Sequence, residues 1–242
     1  MNTCRTHLFF ILLLCGSITH AQEHANYIPY SRKHLISSIE LVAGPALGFL
    51  RGNPGVDNNA VNNRAFKPGF TYGIGLNHRI NEKLEGRLLL LAEKKGSVVN
   101  RKNLYFDMDS QTLKEGKTKE EFIYDYYSFP LLAAYSFDKK NNLQVSAGPF
   151  ISYLRKQLVR TTHQPQGTVG IEDQTDFNKK IDFGCALSFS YRVAVNNRIS
   201  LKAQVLNTLG LINTRSLSNY GVMRTNNTSL LLTIMSTKAL TI

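Results

Sequence analysis

The stretch Ile181–Leu206, IDFGCALSFSYRVAVNNRISLKAQVL, decides the reading of the chain. In its first half Ile181, Phe183, Cys185, Leu187, Phe189, Tyr191 and Val193 fall on one face, against Asp182, Gly184, Ala186, Ser188, Ser190 and Arg192 on the other. The second half repeats the pattern, with Ile199, Leu201, Ala203 and Val205 set against Ser200, Lys202 and Gln204. A period of two is what a β-strand shows when its faces meet different surroundings. Asn196-Asn197 between the halves suits a tight hairpin turn. The large aromatic residues lie on the apolar face, and the small polar ones share the face that carries the glycine. A membrane barrel turns such an apolar face to lipid and keeps the small polar face inside.

The same alternation predicts strands over Ser37–Leu50, Lys67–Ile80, Leu84–Val98, Glu120–Phe137, Leu143–Val159 and Ser229–Thr237. Leu84–Val98 is the least regular, because Leu88–Leu91 is apolar on both faces. Long polar connections are expected at Arg51–Ala65, Asn100–Lys119, Arg160–Phe177 and Asn213–Thr225. Short turns are expected at Asn81–Lys83, Asp138–Asn142 and Asn196-Asn197. About eight strands, with long connections at one rim and short ones at the other, match bacterial outer-membrane barrels. Pro45, Pro130 and Pro149 fall inside these strands, where they imply bulges or local breaks in the ladder.

The chain opens MNTCRTHLFFILLLCGSITHAQ. Arg5, the apolar run Leu8–Leu14 and the small-x-small site Thr19-His20-Ala21 predict a cleaved signal peptide over 1–21. A periplasmic leader over 22–36 and a barrel domain over 37–242 follow. Cys4 and Cys15 leave with the signal, so Cys185 has no internal disulfide partner and reads as a small hydrophobe. The formal net charge is +12. Export removes nucleic acid as the partner of that charge, leaving anionic lipid headgroups and lipopolysaccharide phosphates.

Several segments carry a family resemblance. Tyr126-Tyr127-Ser128-Phe129-Pro130-Leu131-Leu132-Ala133-Ala134-Tyr135, Ala147-Gly148-Pro149-Phe150-Ile151-Ser152-Tyr153-Leu154 and Asp182-Phe183-Gly184 resemble successive strands of the PorT-like outer-membrane β-barrel family. The resemblance implies a barrel interrupted by these prolines and, through PorT, a place in a type IX secretion machine. Ser128 stands where that family has an acidic residue, which implies a weaker internal ion pair. The family is defined by its fold, so it brings an address more than an activity.

The polar face supplies Glu40, Arg79, Glu85, Arg87, Glu93, Asp182, Arg192 and Lys202. In a barrel this small they are expected to pair as an internal network rather than form an ion path. His24, His34, His78 and His163 have no metal-ligand spacing. Ser190 and His78, the serine and histidine that a lipid-modifying enzyme would need, fall on opposite faces. Asp107-Met108-Asp109 reads as solvated loop rather than a calcium site. The loop cations Arg101, Lys102, Lys114, Lys117 and Lys119 alternate with Asp107, Asp109, Glu115, Glu120 and Glu121, as in a solvated rim that can also meet lipid phosphates.

These readings combine into an all-β fold: an eight-stranded antiparallel up-and-down transmembrane β-barrel in the outer membrane, preceded by a signal peptide. No catalytic, cofactor-binding or metal residue is expected. The function expected is a non-enzymatic envelope scaffold or surface-interaction protein that recognises through its long extracellular loops. The expected partners are outer-membrane lipid and lipopolysaccharide, the barrel assembly machinery and other envelope proteins, with the chain itself a monomer. A secretion-machine component, a lipid A-modifying enzyme and a soluble periplasmic lipocalin-like barrel are the alternatives.

Overall fold

A computed structural model of the chain describes residues 38–52, 64–107, 111–138, 142–164, 167–195, 199–215 and 222–236. The signal and leader expected over 1–36 lie outside these residues, as do Met108, Asp109 and Asn196-Asn197. The strands are β1 (Ser38–Arg51), β2 (Arg64–Arg79), β3 (Leu84–Asp107), β4 (Thr112–Ser136), β5 (Leu143–Gln164), β6 (Val169–Asp173), β7 (Ile181–Ala194), β8 (Ile199–Gly210) and β9 (Arg224–Ser236). Every pairing is antiparallel. The sheet runs β4-β3-β2-β1-β9-β8-β7-β5-β6, and a further β4–β5 ladder closes it into a ring. Eight strands make the ring; β6 lies outside it, paired only with the outer half of β5.

The polarity is inside out. Leu41, Tyr72, Ile74, Phe129, Leu131, Phe183, Leu187, Phe189, Val205 and Leu232 point outward and are exposed. Glu40, Arg87, Glu93, Lys95, Asp182, Ser190 and Lys202 are buried inside. The faces expected for Ile181–Val193 are the faces observed: Asp182, Ala186, Ser188 and Ser190 are buried, while Leu187 is 56% exposed. The irregular Leu88–Leu91 run resolves in the same way, with Leu89 and Leu91 inside and Leu88 and Leu90 outside. A ring whose outer wall is apolar and whose interior is polar needs hydrocarbon around it.

The prolines interrupt the ladder without bulging it. Pro45 pairs with Phe70 of β2, while the β1–β9 ladder skips from Ala43↔Leu232 to Ala46↔Ser229. Pro130 pairs with Phe150 of β5, while β3–β4 skips from Leu88↔Leu131 to Leu91↔Ser128. Pro149 pairs with Cys185 of β7 on the side away from its own gap in the β4–β5 ladder. In each case the missing N–H removes bonding to one neighbour and the register resumes unshifted, so these are local breaks and not bulges. Gly44 and Gly148 precede two of them, and a Cβ there would sit 1.9 Å from the Leu230 and Leu131 carbonyl oxygens respectively. The true register shifts lie elsewhere, at Phe66/Thr71 and Asp125/Tyr126.

Three expectations about connections are corrected. Asn100–Lys119 is mostly strand: the β3–β4 ladder continues unbroken from Leu91↔Ser128 to Asp107↔Thr112. Arg160–Phe177 likewise contains the end of β5, all of β6 and a 3-10 turn at Thr175–Phe177. The last strand begins at Arg224 rather than Ser229 and takes up the end of the expected Asn213–Thr225 loop. A membrane crossing needs about 9–11 tilted residues. β3, β4 and β5 have 24, 25 and 22. Among the described residues, the sheet beyond Arg64↔Val99, where β2 begins, continues as β3–β6 alone. The molecule therefore has a turn end, at Ile80–Leu84, and an extended end.

Candidate functional site

The barrel interior is layered along its axis. Nearest the turn end, Arg192 and Gln144 both donate to Glu85, at 3.2 and 3.3 Å. Above them Glu40 accepts from Arg87 and from Lys202, each at 2.7 Å. Arg87 also donates to Asn77 and to Gln204. Next comes an apolar layer of Val42, Leu89, Leu91, Leu132, Phe150, Ala186, Leu206 and Leu231. Beyond it lies a second polar layer. Lys95 stands 3.2 Å from Glu93 and over the rings of Tyr126 and Phe150. Ser128 donates to Glu93, and Thr225 donates to Asp182. Leu50, Tyr124, Tyr126, Leu154 and Met223 close the interior at the extended end.

Seven of the eight polar residues expected to face one another inside do so, in groups on either side of an apolar layer rather than one path. Arg79 instead is exposed at the turn end, where it donates to the Asn81 and Glu82 carbonyls. Glu40, Arg87 and Lys202 form the first, while Glu93 and Asp182 belong to the second. The apolar layer between them offers no acceptor chain for an ion or proton. Lys95 escaped the sequence reading although it shares the parity of Glu93; its neighbour Lys94, on the opposite face, obscured it. Ser128, in the place of the expected acid, joins the second group through Glu93 and Ser152.

Among the described residues no serine, histidine and acid come together as a catalytic group. Ser190 is buried inside and His78 is exposed outside, as their parity predicts. His163 bonds Thr118, and Asp107 is paired with Lys114. Among the described residues no three His, Cys, Asp or Glu side chains could hold a metal ion.

Chemistry of another kind gathers on the extended end. On the outward face of β3–β6, Glu121 accepts from Lys119 at 2.7 Å and Lys67 at 3.0 Å, with Arg160 at 4.0 Å. The Lys119 hydrogen bond outweighs the opposing effect of partial burial, and with Lys67 it holds the Glu121 carboxyl at about 2, down from 4.5. Val169 and Ile171 are exposed beside this cluster, and Leu104, Phe106 and Leu113 are exposed further out on the same face. The cations expected in one solvated rim are thereby sorted. Lys102, Lys117 and Lys119 face outward, whereas Arg101 and Lys114 alternate onto the opposite face, Arg101 pairing with Glu120 at 3.0 Å.

A closed antiparallel ring with a lipid-facing wall and a filled interior defines a transmembrane β-barrel of the outer membrane. The chain belongs to the outer membrane protein β-barrel domain family, whose pattern matches residues 21–216. Among solved structures it is similar to Neisserial surface protein A, with 14% identity and a TM-score of 0.41 over 82% of this chain and 96% of that one. The attachment invasion locus protein of Yersinia pestis, solved with the heparin analogue sucrose octasulfate, has 8% identity and a TM-score of 0.37, covering 82% and 97%. OprG of Pseudomonas aeruginosa has 10% identity and a TM-score of 0.31, covering 84% and 95%. No curated protein matches the sequence.

Proposed function

We propose that this barrel is a non-enzymatic surface-interaction protein, oriented with its turn end in the periplasm and its extended end outside the cell. The observation that carries the reading is the continuation of β3, β4 and β5 as a paired sheet well past the crossing length. Outer-membrane barrels keep short turns on the periplasmic side, which puts the sheet outside. There it presents Leu104, Phe106, Leu113, Val169 and Ile171 beside the Glu121 cation cluster. A ladder holds such a face in one conformation before a partner arrives, so binding loses less entropy than it would through a flexible loop. The plugged interior supports no transport role, and the separation of Ser190 from His78 supports no lipid-modifying reaction.

In this reading residues 1–21 are a signal peptide, the barrel machinery inserts a monomer, and lipid covers the wall. The motifs Tyr126–Tyr135 and Ala147–Leu154 carry the second reading, in which the chain is itself a PorT-like component of a secretion machine. The test removes 99–120 and joins Val98 to Glu121, a pair in the native ladder, through a two-residue turn. Adherence of intact cells is then compared between wild type and this form. Loss of adherence, with the shortened barrel still folded in the membrane, is expected. Full adherence by the shortened form contradicts the reading, and an altered lipid A mass spectrum in a deletion strain would restore the enzyme alternative.

A further inference from the structure

On the outer wall of β2–β5 three tyrosines stand in one row. Tyr72 pairs with Ala92, Ala92 with Tyr127 and Tyr127 with Tyr153, and all three rings are exposed. Tyrosine is favoured at the boundary between hydrocarbon and water, where its ring lies in the apolar region and its hydroxyl in the wet one. Two residues further toward the extended end lie Lys94 on β3, Asp125 on β4 and Arg155 at the β4–β5 bulge. Two residues advance a strand by about 7 Å, or about 5 Å along the membrane normal at a tilt near 40°. A headgroup layer is about 5–7 Å thick. Lys94 and Arg155 therefore stand in that layer, directly above the tyrosines.

The local geometry suits an anion. Phe70, Tyr72, Lys94, Asp125, Tyr127 and Arg155 line a shallow groove that opens outward. Arg155 donates to Asp125 at 2.9 Å, which fixes its guanidinium at the groove edge with other N–H groups still available. Lys94 has no ion-pair partner among the described residues. The opposite wall differs. There Asn207 bonds Asn226 and Thr228, a neutral outward cluster, with Arg224 two residues beyond Asn226.

We propose that this groove binds the phosphate of a phosphorylated outer-leaflet lipid, with Lys94 and Arg155 on the phosphate and the acyl chains against Tyr72, Tyr127 and the apolar wall below. The site rests on the orientation proposed above, since only that orientation brings it to the outer leaflet. It would fix the azimuth of the barrel against its lipid neighbours and so the direction in which the extended sheet faces.

The test uses the full chain in nanodiscs of phosphatidylcholine containing bisphosphorylated lipid A, with retained lipid read by native mass spectrometry. Phosphorylated lipid A is expected to remain bound, and lipid A stripped of its phosphates is not. Inorganic phosphate at millimolar concentration is expected to displace none, which separates a lipid site from a free-phosphate site. The double variant Lys94→Gln, Arg155→Gln is expected to weaken retention about tenfold or more. Lys102→Gln with Lys117→Gln, and Arg224→Gln, are expected to change it less than twofold. Equal retention of the dephosphorylated lipid, or equal loss from the control variants, overturns the proposal. Because a nanodisc imposes no orientation, this result stands apart from topology, which accessibility labelling in cells reads separately.

Discussion

At the scale of single residues the barrel depends on which way each side chain faces. Leu187 lies mid-strand on the lipid wall, 56% exposed. Leu187→Arg is expected to cost about 2–4 kcal/mol near the bilayer midplane, measured by reversible urea unfolding in lipid vesicles. Glu40 is the converse case. It holds two fully buried cations, so Glu40→Ala leaves both uncompensated and is expected to cost about 3–5 kcal/mol. Asp125→Asn, which breaks a pair on the exposed wall, is expected to cost under about 1 kcal/mol in the same assay. Similar losses for Glu40→Ala and Asp125→Asn would contradict the interior described here. Glu121 adds a pH dependence with a definite sign. Its folded carboxyl titrates at about 2 and its ordinary value is 4.5, so its contribution is present above 4.5 and is lost as pH falls through about 2. Protease cleavage of the extended sheet should rise across that interval, and Glu121→Gln should remove the step.

At the scale of elements, the strands inside the membrane were legible and their extensions were not. Lipid imprints a strict alternation on a crossing strand, so Ile181–Val193 declared both its conformation and its faces. Past the membrane crossing both faces of the β3 and β4 extensions meet water, and the apolar period that marks a strand disappears. The extension is held instead by the continuous hairpin ladder and by pairs such as Arg101–Glu120 and Lys114–Asp107. Reading the spacing of opposite charges across a hairpin centre was the signal available. The prolines were legible as interruptions, but which neighbour each one loses follows from the ladder alone. The groove at Lys94 and Arg155 was hidden for a similar reason, because it joins three strands whose relative register the sequence does not state. If the extension is a rigid sheet, backbone amides of Val98–Leu104 and Leu113–Glu121 should show slow hydrogen exchange. Exchange as fast as that of an unstructured peptide would return this segment to the loop first expected.

At the scale of the molecule, eight strands close around an interior filled by two polar networks and two apolar layers. Side chains fill a barrel of this strand number, so the purified protein should give no stable conductance in a planar bilayer. In the function proposed above the outer surface makes the contacts, and the orientation of the barrel decides which end carries them. Single cysteines read this directly. In a Cys185→Ser background, Thr112→Cys marks the hairpin at the extended end and Lys83→Cys marks the turn end. Intact cells are treated with a membrane-impermeant thiol reagent. Thr112→Cys should label at once, and Lys83→Cys only after the outer membrane is permeabilised. Labelling of Lys83→Cys alone in intact cells would invert the barrel and place the extended sheet in the periplasm, contradicting its role at the cell surface.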